Sequence, residues 1–368
     1  MIKPYTIILG ATGSIGESAL DVLRQYKKIR VAGLVNYSNK ELLNISKEFN
    51  CKNCLMRAES DITLNCFISK IVDEYGSENL TALNAISGFN GLEASIILAK
   101  YGIETLLANK ETIVAGGKVF LDYAKKQKCK IVPVDSEHSA IYSLKKAHKN
   151  IKNVIITASG GPFRDKTKGF DNIKVEDAIR HPNWKMGEKI SIDSATLANK
   201  VLECIEAKYL FGLKNESIKV VIHPQSIVHS LVELKNGSIY AEISTPDMRL
   251  AISKAYGLLK EAFIKRLDFS SLNLDFYTPV AEQLKFLKLK DAALTNSRNS
   301  IVFNASNEIC VDAFRKKTIK FTQIQKIVEK CLFDADKIYN NTKISSFDEI
   351  YFCDEVVRKW TTNLINHS

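Results

Sequence analysis

One stretch near the start of the chain restricts the fold more than any other. Tyr5-Thr6-Ile7-Ile8-Leu9 is a short apolar run, followed at once by Gly10-Ala11-Thr12-Gly13-Ser14-Ile15-Gly16 and then a helical pattern over residues 17–26. Strand, glycine turn and helix in direct succession form the dinucleotide-binding arrangement. Gly10 permits the tight turn, Gly13 lets backbone amides approach a pyrophosphate, and Gly16 lets helix and strand pack closely. A bare tight turn is the lesser reading. A second strand over residues 30–35 runs into Asn36, about 20 residues past the glycines, where an NAD-binding chain carries an acid for the ribose hydroxyls. Here Asn36 is followed by Tyr37-Ser38-Asn39-Lys40. No carboxylate repels a 2′-phosphate there, while hydroxyl, amide and ammonium groups stand ready, so NADP is favoured.

The alternation continues. A helix is expected over residues 40–49, a strand over 80–86, a helix over 92–101, and a strand over 104–108 that stops at Asn109-Lys110-Glu111. The next apolar run, Ile131-Val132-Pro133-Val134, leads straight into Asp135-Ser136-Glu137-His138. Ligands of open α/β sheets bind beyond the carboxyl ends of the strands, and three such ends carry the glycine turn, Lys110, and Asp135 with Glu137. On extended backbone, Asp135 and Glu137 point to one side and Ser136 to the other. Hard divalent cations want such oxygen ligands, but two carboxylates rarely suffice. Taken alone, the acids also fit a solvated strand-end turn, and Lys110 with Glu111 also fits a surface ion pair.

The pattern changes near Asn150. A strand over residues 153–158 feeds Ser159-Gly160-Gly161-Pro162-Phe163, a second glycine turn with a hydroxyl. His181-Pro182-Asn183-Trp184-Lys185-Met186-Gly187 reads either as a loop able to fold over a site and exclude water or as a tryptophan anchor. Residues 190–203 read as one helix start and helix, with Ser194 near its beginning and Asn199, Lys200 and Glu203 on one face. Hydroxyl, amide and ammonium suit a phosphate monoester, and Glu203 is the candidate third carboxylate. An ordinary amphipathic helix with a Lys–Glu pair has the same spacing. Alternating runs at 226–234 and 238–244 flank Asn236-Gly237, a hairpin signal. Residues 260–281 lack a period, and helical patterns resume at 280–287, 306–316, 321–332 and 347–364, where Asn307 and Glu308 are placed to reach the site.

Composition narrows the class. At 368 residues, two or three domains are expected, and 45% hydrophobic with 25% charged residues is ordinary for a globular protein. The eight cysteines form no framework, and the close pair Cys51 and Cys54 lacks a second pair or a nearby histidine. Zinc is therefore not expected, and reduced thiols in the cytoplasm are. No run of about 18 apolar residues predicts a membrane span, and the first apolar run is too short for a secretory segment. The net charge of +11 invites nucleic acid, but lysines such as Lys125, Lys126 and Lys128 are spread along helices without interleaved aromatics. A solvated basic surface that favours phosphorylated ligands is the better reading, with no nucleic-acid partner.

The motifs at 10–16, Ala-Asn-Lys-Glu at 108–111, Pro-Val-Asp-Ser-Glu-His at 133–138, Ala-Ser-Gly-Gly-Pro-Phe at 158–163, His-Pro-Asn-Trp at 181–184 and Asp-Ser-Ala-Thr at 193–196 with Asn199, Lys200 and Glu203 resemble, in order, those of the 1-deoxy-D-xylulose 5-phosphate reductoisomerases. Ile-His-Pro-Gln-Ser at 222–226, Pro-Asp-Met at 246–248 and Asn-Ala-Ser-Asn-Glu at 304–308 extend the likeness over nearly the whole chain. The resemblance implies a homodimeric α/β enzyme with an N-terminal Rossmann-like NADPH-binding domain (1–149), a central α+β catalytic and dimerisation domain (150–259), a linker (260–287) and a C-terminal helical bundle (288–368). It implies NADPH and Mg²⁺, Mn²⁺ or Co²⁺ as cofactors. It also implies conversion of 1-deoxy-D-xylulose 5-phosphate to 2-C-methyl-D-erythritol 4-phosphate in the non-mevalonate isoprenoid route, by retro-aldol cleavage, re-aldolisation and reduction.

Carried over by motif, Thr12, Gly13, Ser14 and Ile15 would hold the NADPH pyrophosphate. Ser38 and Asn39 would meet the 2′-phosphate, and Asn109, Glu111 and Gly187 would also touch the cofactor. Asp135, Glu137 and Glu203 would ligate the metal and, with Lys110, form the catalytic set. Ser159, Ser194, Asn199 and Lys200 would hold the phosphate, Lys110, Ser136 and His181 would line the substrate, and Trp184 would cap it. Tyr37 departs from the Gly-Lys-Asn or Gly-Ser-Asn common after the second strand. Two other classes share parts of the pattern: a semialdehyde dehydrogenase, which needs an activated cysteine where Cys129 and Cys204 are poorly placed, and a non-enzymatic NADP-sensing or nucleic-acid-binding protein.

Overall fold

Short apolar strands that alternate with amphipathic helices bury both faces of a sheet most simply when the strands run parallel. The computed structural model describes residues 2–166, 169–180, 184 and 187–367. Its first part runs β1 (Tyr5–Leu9), α1 (Ser14–Gln25), β2 (Arg30–Asn36), α2 (Glu41–Glu48), β3 (Cys54–Met56), α3 (Leu64–Tyr75), β4 (Leu80–Asn84), α4 (Asn90–Lys100), β5 (Glu104–Leu107), α5 (Glu111–Lys126), β6 (Ile131–Pro133) and α6 (Ser136–Ala147). There follow β7 (Ile151–Ala158), α7 (Val175–Ala178), α8 (Glu188–Thr196), α9 (Ala198–Phe211), β8 (Ile218–Ile222), β9 (Val228–Leu234), β10 (Ile239–Ile243) and α10 (Met248–Ala255). The chain ends with α11 (Ala281–Lys288), α12 (Lys290–Ala293), α13 (Ser297–Arg315), α14 (Phe321–Phe333), α15 (Ala335–Ile338) and α16 (Phe347–Asn366).

These elements form two units. The first contains the chain up to Thr112, Phe120–Ser139 and Asp247–Arg266. Its six strands lie in the order β3-β2-β1-β4-β5-β6, all parallel, with the topological switch beside β1. Ile7, Leu9, Val35 and Leu80 of the strands pack against Phe67, Ile68 and Ile71 of α3 and Leu98 of α4. Burial of this many branched side chains, each contributing about 1.5–3 kcal/mol, holds the sheet face. The returning helix α10 packs on α1, and Tyr256 beyond it shares a buried 2.9 Å hydrogen bond with Thr6 of β1.

The second unit contains Ile113–Val119, Ala140–Pro246 and the chain from Leu267 onward. Its sheet has the order β10-β9-β7-β8, with β7 and β8 parallel and the other pairs antiparallel. The hairpin expected at Asn236-Gly237 joins β9 to β10, with Gly237 at φ +88°. The helical region expected at the end is present, with α13 packed on α14 and α16. No described helix is long and apolar enough to cross a membrane.

Two local expectations change. The segment Asp135–Glu137 is not extended: β6 stops at Pro133 and α6 starts at Ser136, so Glu137 lies in a helical first turn. Residues 190–203 are not one helix either. Leu197 takes left-handed backbone at φ +67° and separates α8 from α9. That conformation costs a branched residue about 1–3 kcal/mol. Burial against Ala158 and Ile222 compensates for it, since Leu197 is 1% exposed. Ser194 therefore lies in the last turn of α8 rather than opening a helix.

Candidate active site

In the first unit the chemistry gathers where the parallel strands end. Gly10 sits at φ +85° and its amide donates to Val35 O at 2.8 Å, so the turn is tied to the end of β2. A Cβ on Gly10 would stand 2.5 Å from Ala85 O, and one on Gly16 only 2.3 Å from Gly10 O. Neither position has room for a side chain. Gly13 caps α1 in extended conformation without a side-chain cap, and Ser14 and Ile15 form the first turn, where amides and helix dipole favour an anion. This cradle fits a pyrophosphate. Thr12 Oγ1 accepts from Asn36 Nδ2 at 3.3 Å, and Asn39 Oδ1 accepts from the Glu41 amide at 2.9 Å at the start of α2, beside Ser38.

Asn109, 3% exposed, ties the crest together. Its Nδ2 donates to Ile86 O, Gly88 O and Glu111 Oε2 at 2.7–2.9 Å, while its Oδ1 accepts from the Thr112 amide at 2.9 Å. Lys110 Nζ lies 2.8 Å from Asp135 Oδ2, and buried His138 approaches the same oxygen at 3.7 Å. Burial alone would raise the Asp135 pKa, but the Lys110 ammonium and the His138 imidazole outweigh it and hold the carboxyl well below its usual range. Ser136 Oγ donates to Oε2 of the adjacent Glu137 in the first turn of α6. Hard, ionised oxygen donors on a buried strand end suit a divalent cation.

The second unit carries a polar cluster on α8 and α9. Glu203, 1% exposed, accepts from Asn199 Nδ2 at 2.5 Å and pairs with Lys200 Nζ at 2.7 Å. The shared face expected for these three residues is therefore present. Ser159 Oγ accepts from the Gly161 amide at 3.1 Å, and a Cβ on Gly161 would lie 2.9 Å from Ser194 O, so the second glycine turn packs on the end of α8. Gly187 caps α8 and its carbonyl accepts from Ser191. Trp184 has its ring 6.5 Å from that of His229. His181 and most of the proposed covering loop lie outside the described residues.

Asp193, which the sequence places in a motif without a role of its own, is 1% exposed between Lys189 Nζ at 3.0 Å and Asn307 Nδ2 at 2.8 Å. Asn307 thus reaches α8, and the Asn-Glu pair at 307–308 was the available signal. Glu308 pairs instead with Arg358 at 2.6 Å. Neither Cys204 nor Cys129 is an activated nucleophile, because both are buried and burial pushes their thiols up, that of Cys204 to about 12.

Sheet order and glycine turn together define a protein with a Rossmann-type dinucleotide-binding domain. Models of three domains match: 1-deoxy-D-xylulose 5-phosphate reductoisomerase over residues 6–117, its C-terminal domain over 131–211, and a DXP reductoisomerase C-terminal domain over 243–360. The 1-deoxy-D-xylulose 5-phosphate reductoisomerase of Clostridium botulinum (strain Loch Maree / Type A3) is 40% identical, covering 96% of this chain and 97% of that protein. The Treponema denticola enzyme of the same name is 42% identical over 95% and 94%. A crystal structure of DOX-P reductoisomerase with NADPH, fosmidomycin and magnesium superposes with TM-score 0.85 at 37% identity, covering 98% of each chain. The Zymomonas mobilis reductoisomerase in complex with NADPH gives 0.82 at 34% identity, with 99% coverage of each. The chain belongs to the 1-deoxy-D-xylulose 5-phosphate reductoisomerase family.

Proposed function

We propose that Asp135, Glu137 and Glu203 together bind the divalent cation of the family's reaction, with Lys110 beside them. That reaction is the NADPH- and metal-dependent rearrangement and reduction of 1-deoxy-D-xylulose 5-phosphate to 2-C-methyl-D-erythritol 4-phosphate. The observation that carries the assignment is a repeated one. Two carboxylates distant in sequence, Asp135 (partly buried) and Glu203 (buried), are each met by a lysine at 2.7–2.8 Å. A buried acid is costly unless compensated, and acids kept charged in this way are ready to ligate.

When bound, Mg²⁺, Mn²⁺ or Co²⁺ supplies Lewis acidity toward the substrate's ketone and neighbouring hydroxyl oxygens. NADPH supplies the reducing equivalents. The chain's own residues do the rest. Thr12, Gly13, Ser14 and Ile15 hold the pyrophosphate, with Ser38 and Asn39 toward the 2′-phosphate and Asn109, Glu111 and Gly187 along the cofactor. Ser159, Ser194, Asn199 and Lys200 bind the phosphate monoester through hydroxyl, amide and ammonium donors. Ser136 and His181 line the sugar, and Trp184 covers it to exclude water. The eight free thiols support a reducing, cytoplasmic setting.

The edge strand β10 supports a homodimer, since Ile239 and Tyr240 are 57% and 42% exposed on an unpaired sheet edge. The activity test is NADPH consumption on adding 1-deoxy-D-xylulose 5-phosphate. Consumption should stop with EDTA and return with Mn²⁺. Glu203→Gln should lower turnover at least about 100-fold while NADPH still binds. Near-normal turnover in that variant would remove Glu203 from the ligand set.

A further inference from the structure

The corner after β2 contains a residue that neither the glycine turn nor the motif at 37–39 accounts for. Asn36, 5% exposed, ends β2. Its Nδ2 donates to the Asn39 carbonyl at 2.6 Å. A carbonyl can only accept, so the carboxamide orientation is fixed and Oδ1 must face elsewhere. There it is buried with no hydrogen-bond partner. An unpaired buried acceptor costs about 1–3 kcal/mol, which a donor from a ligand would recover.

Arg57 follows the edge strand β3. Its amide donates to Asn36 O at 3.1 Å and the next amide, Ala58, donates to Tyr37 O at 2.9 Å. Two backbone bonds therefore fasten Arg57 to the corner that receives the adenosine ribose in this fold. Its guanidinium is not buried. It meets Glu93 Oε2, in the first turn of α4, at 2.9 Å, with the two side chains 29% and 50% exposed. An exposed pair of this kind is worth about 0–1 kcal/mol. A phosphate carrying more charge and matching the guanidinium fork is the better partner, so exchanging Glu93 for it is favourable.

We propose that Arg57 sets the preference for NADPH over NADH, its guanidinium pairing with the adenosine 2′-phosphate while Asn36 Oδ1 accepts from the adjacent ribose hydroxyl. This rests on NADPH being the cofactor and adds a residue to its recognition. It also explains how a corner with Tyr37, Ser38 and Lys40 can hold a dianion.

Dissociation constants of NADPH and NADH, read by nicotinamide fluorescence on the full chain without substrate, test it, with adenosine 2′,5′-bisphosphate as competitor. Arg57→Ala should weaken NADPH about 10- to 100-fold, leave NADH within about twofold, and weaken the bisphosphate in parallel with NADPH. Arg57→Lys should recover part of the loss. Asn36→Asp should weaken NADPH more than NADH, by placing a carboxylate against the phosphate. Equal weakening of both nucleotides by Arg57→Ala would make Arg57 a brace and overturn the proposal. So would an unchanged NADPH constant in that variant, or a loss produced by Lys40→Ala instead. Equal binding of NADH and NADPH by the unaltered chain would instead sink the cofactor reading beneath it.

Discussion

A buried ionisable side chain keeps its charge only where a neighbour replaces its lost hydration. Lys110 and His138 do this for Asp135, and Asn199 with Lys200 do it for Glu203. His223 is the opposite case. Its Nδ1 lies 2.8 Å from Asp275 O and its Nε2 accepts from the Ile227 amide at 3.1 Å, an arrangement that suits the neutral ring. Burial lowers its pKa below 6.5, and the Asp275 carbonyl and carboxylate only partly oppose this. Because the folded value is depressed, the unfolded chain takes the proton first. The stabilisation is complete above about pH 6.5 and is lost as pH falls through the folded value. Melting temperature should therefore drop more steeply between pH 7 and 5 in the unaltered protein than in His223→Gln; equal slopes would contradict this.

At the scale of elements, the α1 start shows how closely backbone must approach backbone. Gly16→Ala would force a methyl against Gly10 O, an overpacking that costs about 1–3 kcal/mol and shifts the cradle. NADPH affinity should fall about tenfold or more. Gly13→Ala meets only Gly10 O, at 3.4 Å, and should fold with near-normal stability. Thermal melts with NADPH titrations check both, and an unperturbed Gly16→Ala would refute the packing role. Elements with strong local signals were legible: β1 and its glycine turn, β4, β5, the β9–β10 hairpin and α14. The break at Leu197 was not, because leucine carries no left-handed signature and the conformation is imposed by a tertiary pocket. Glu137 was misplaced for a related reason, since three residues cannot distinguish a strand end from a helix start. The edge strand β3 is only three residues long, too short to show a strand period, so Arg57 went unread with it.

For the whole molecule, topology followed from the alternation of strand and helix, because right-handed crossovers leave few sheet orders open. The cluster on α8 and α9 was legible through its spacing of three and four residues. Asp193 was not, because its partner Asn307 is 114 positions away. The exposed edge of β10 has consequences for assembly. Light scattering should report a dimer, and Ile239→Lys with Ile243→Lys should produce monomers; a monomeric unaltered chain would contradict the edge pairing. The account as a whole turns on three carboxylates sharing one cation. Anomalous diffraction from crystals grown with Mn²⁺ and NADPH tests this most directly. We predict a single peak with oxygens of Asp135, Glu137 and Glu203 at about 2.0–2.3 Å. A peak ligated without Glu203, or by a different set of side chains, would contradict it.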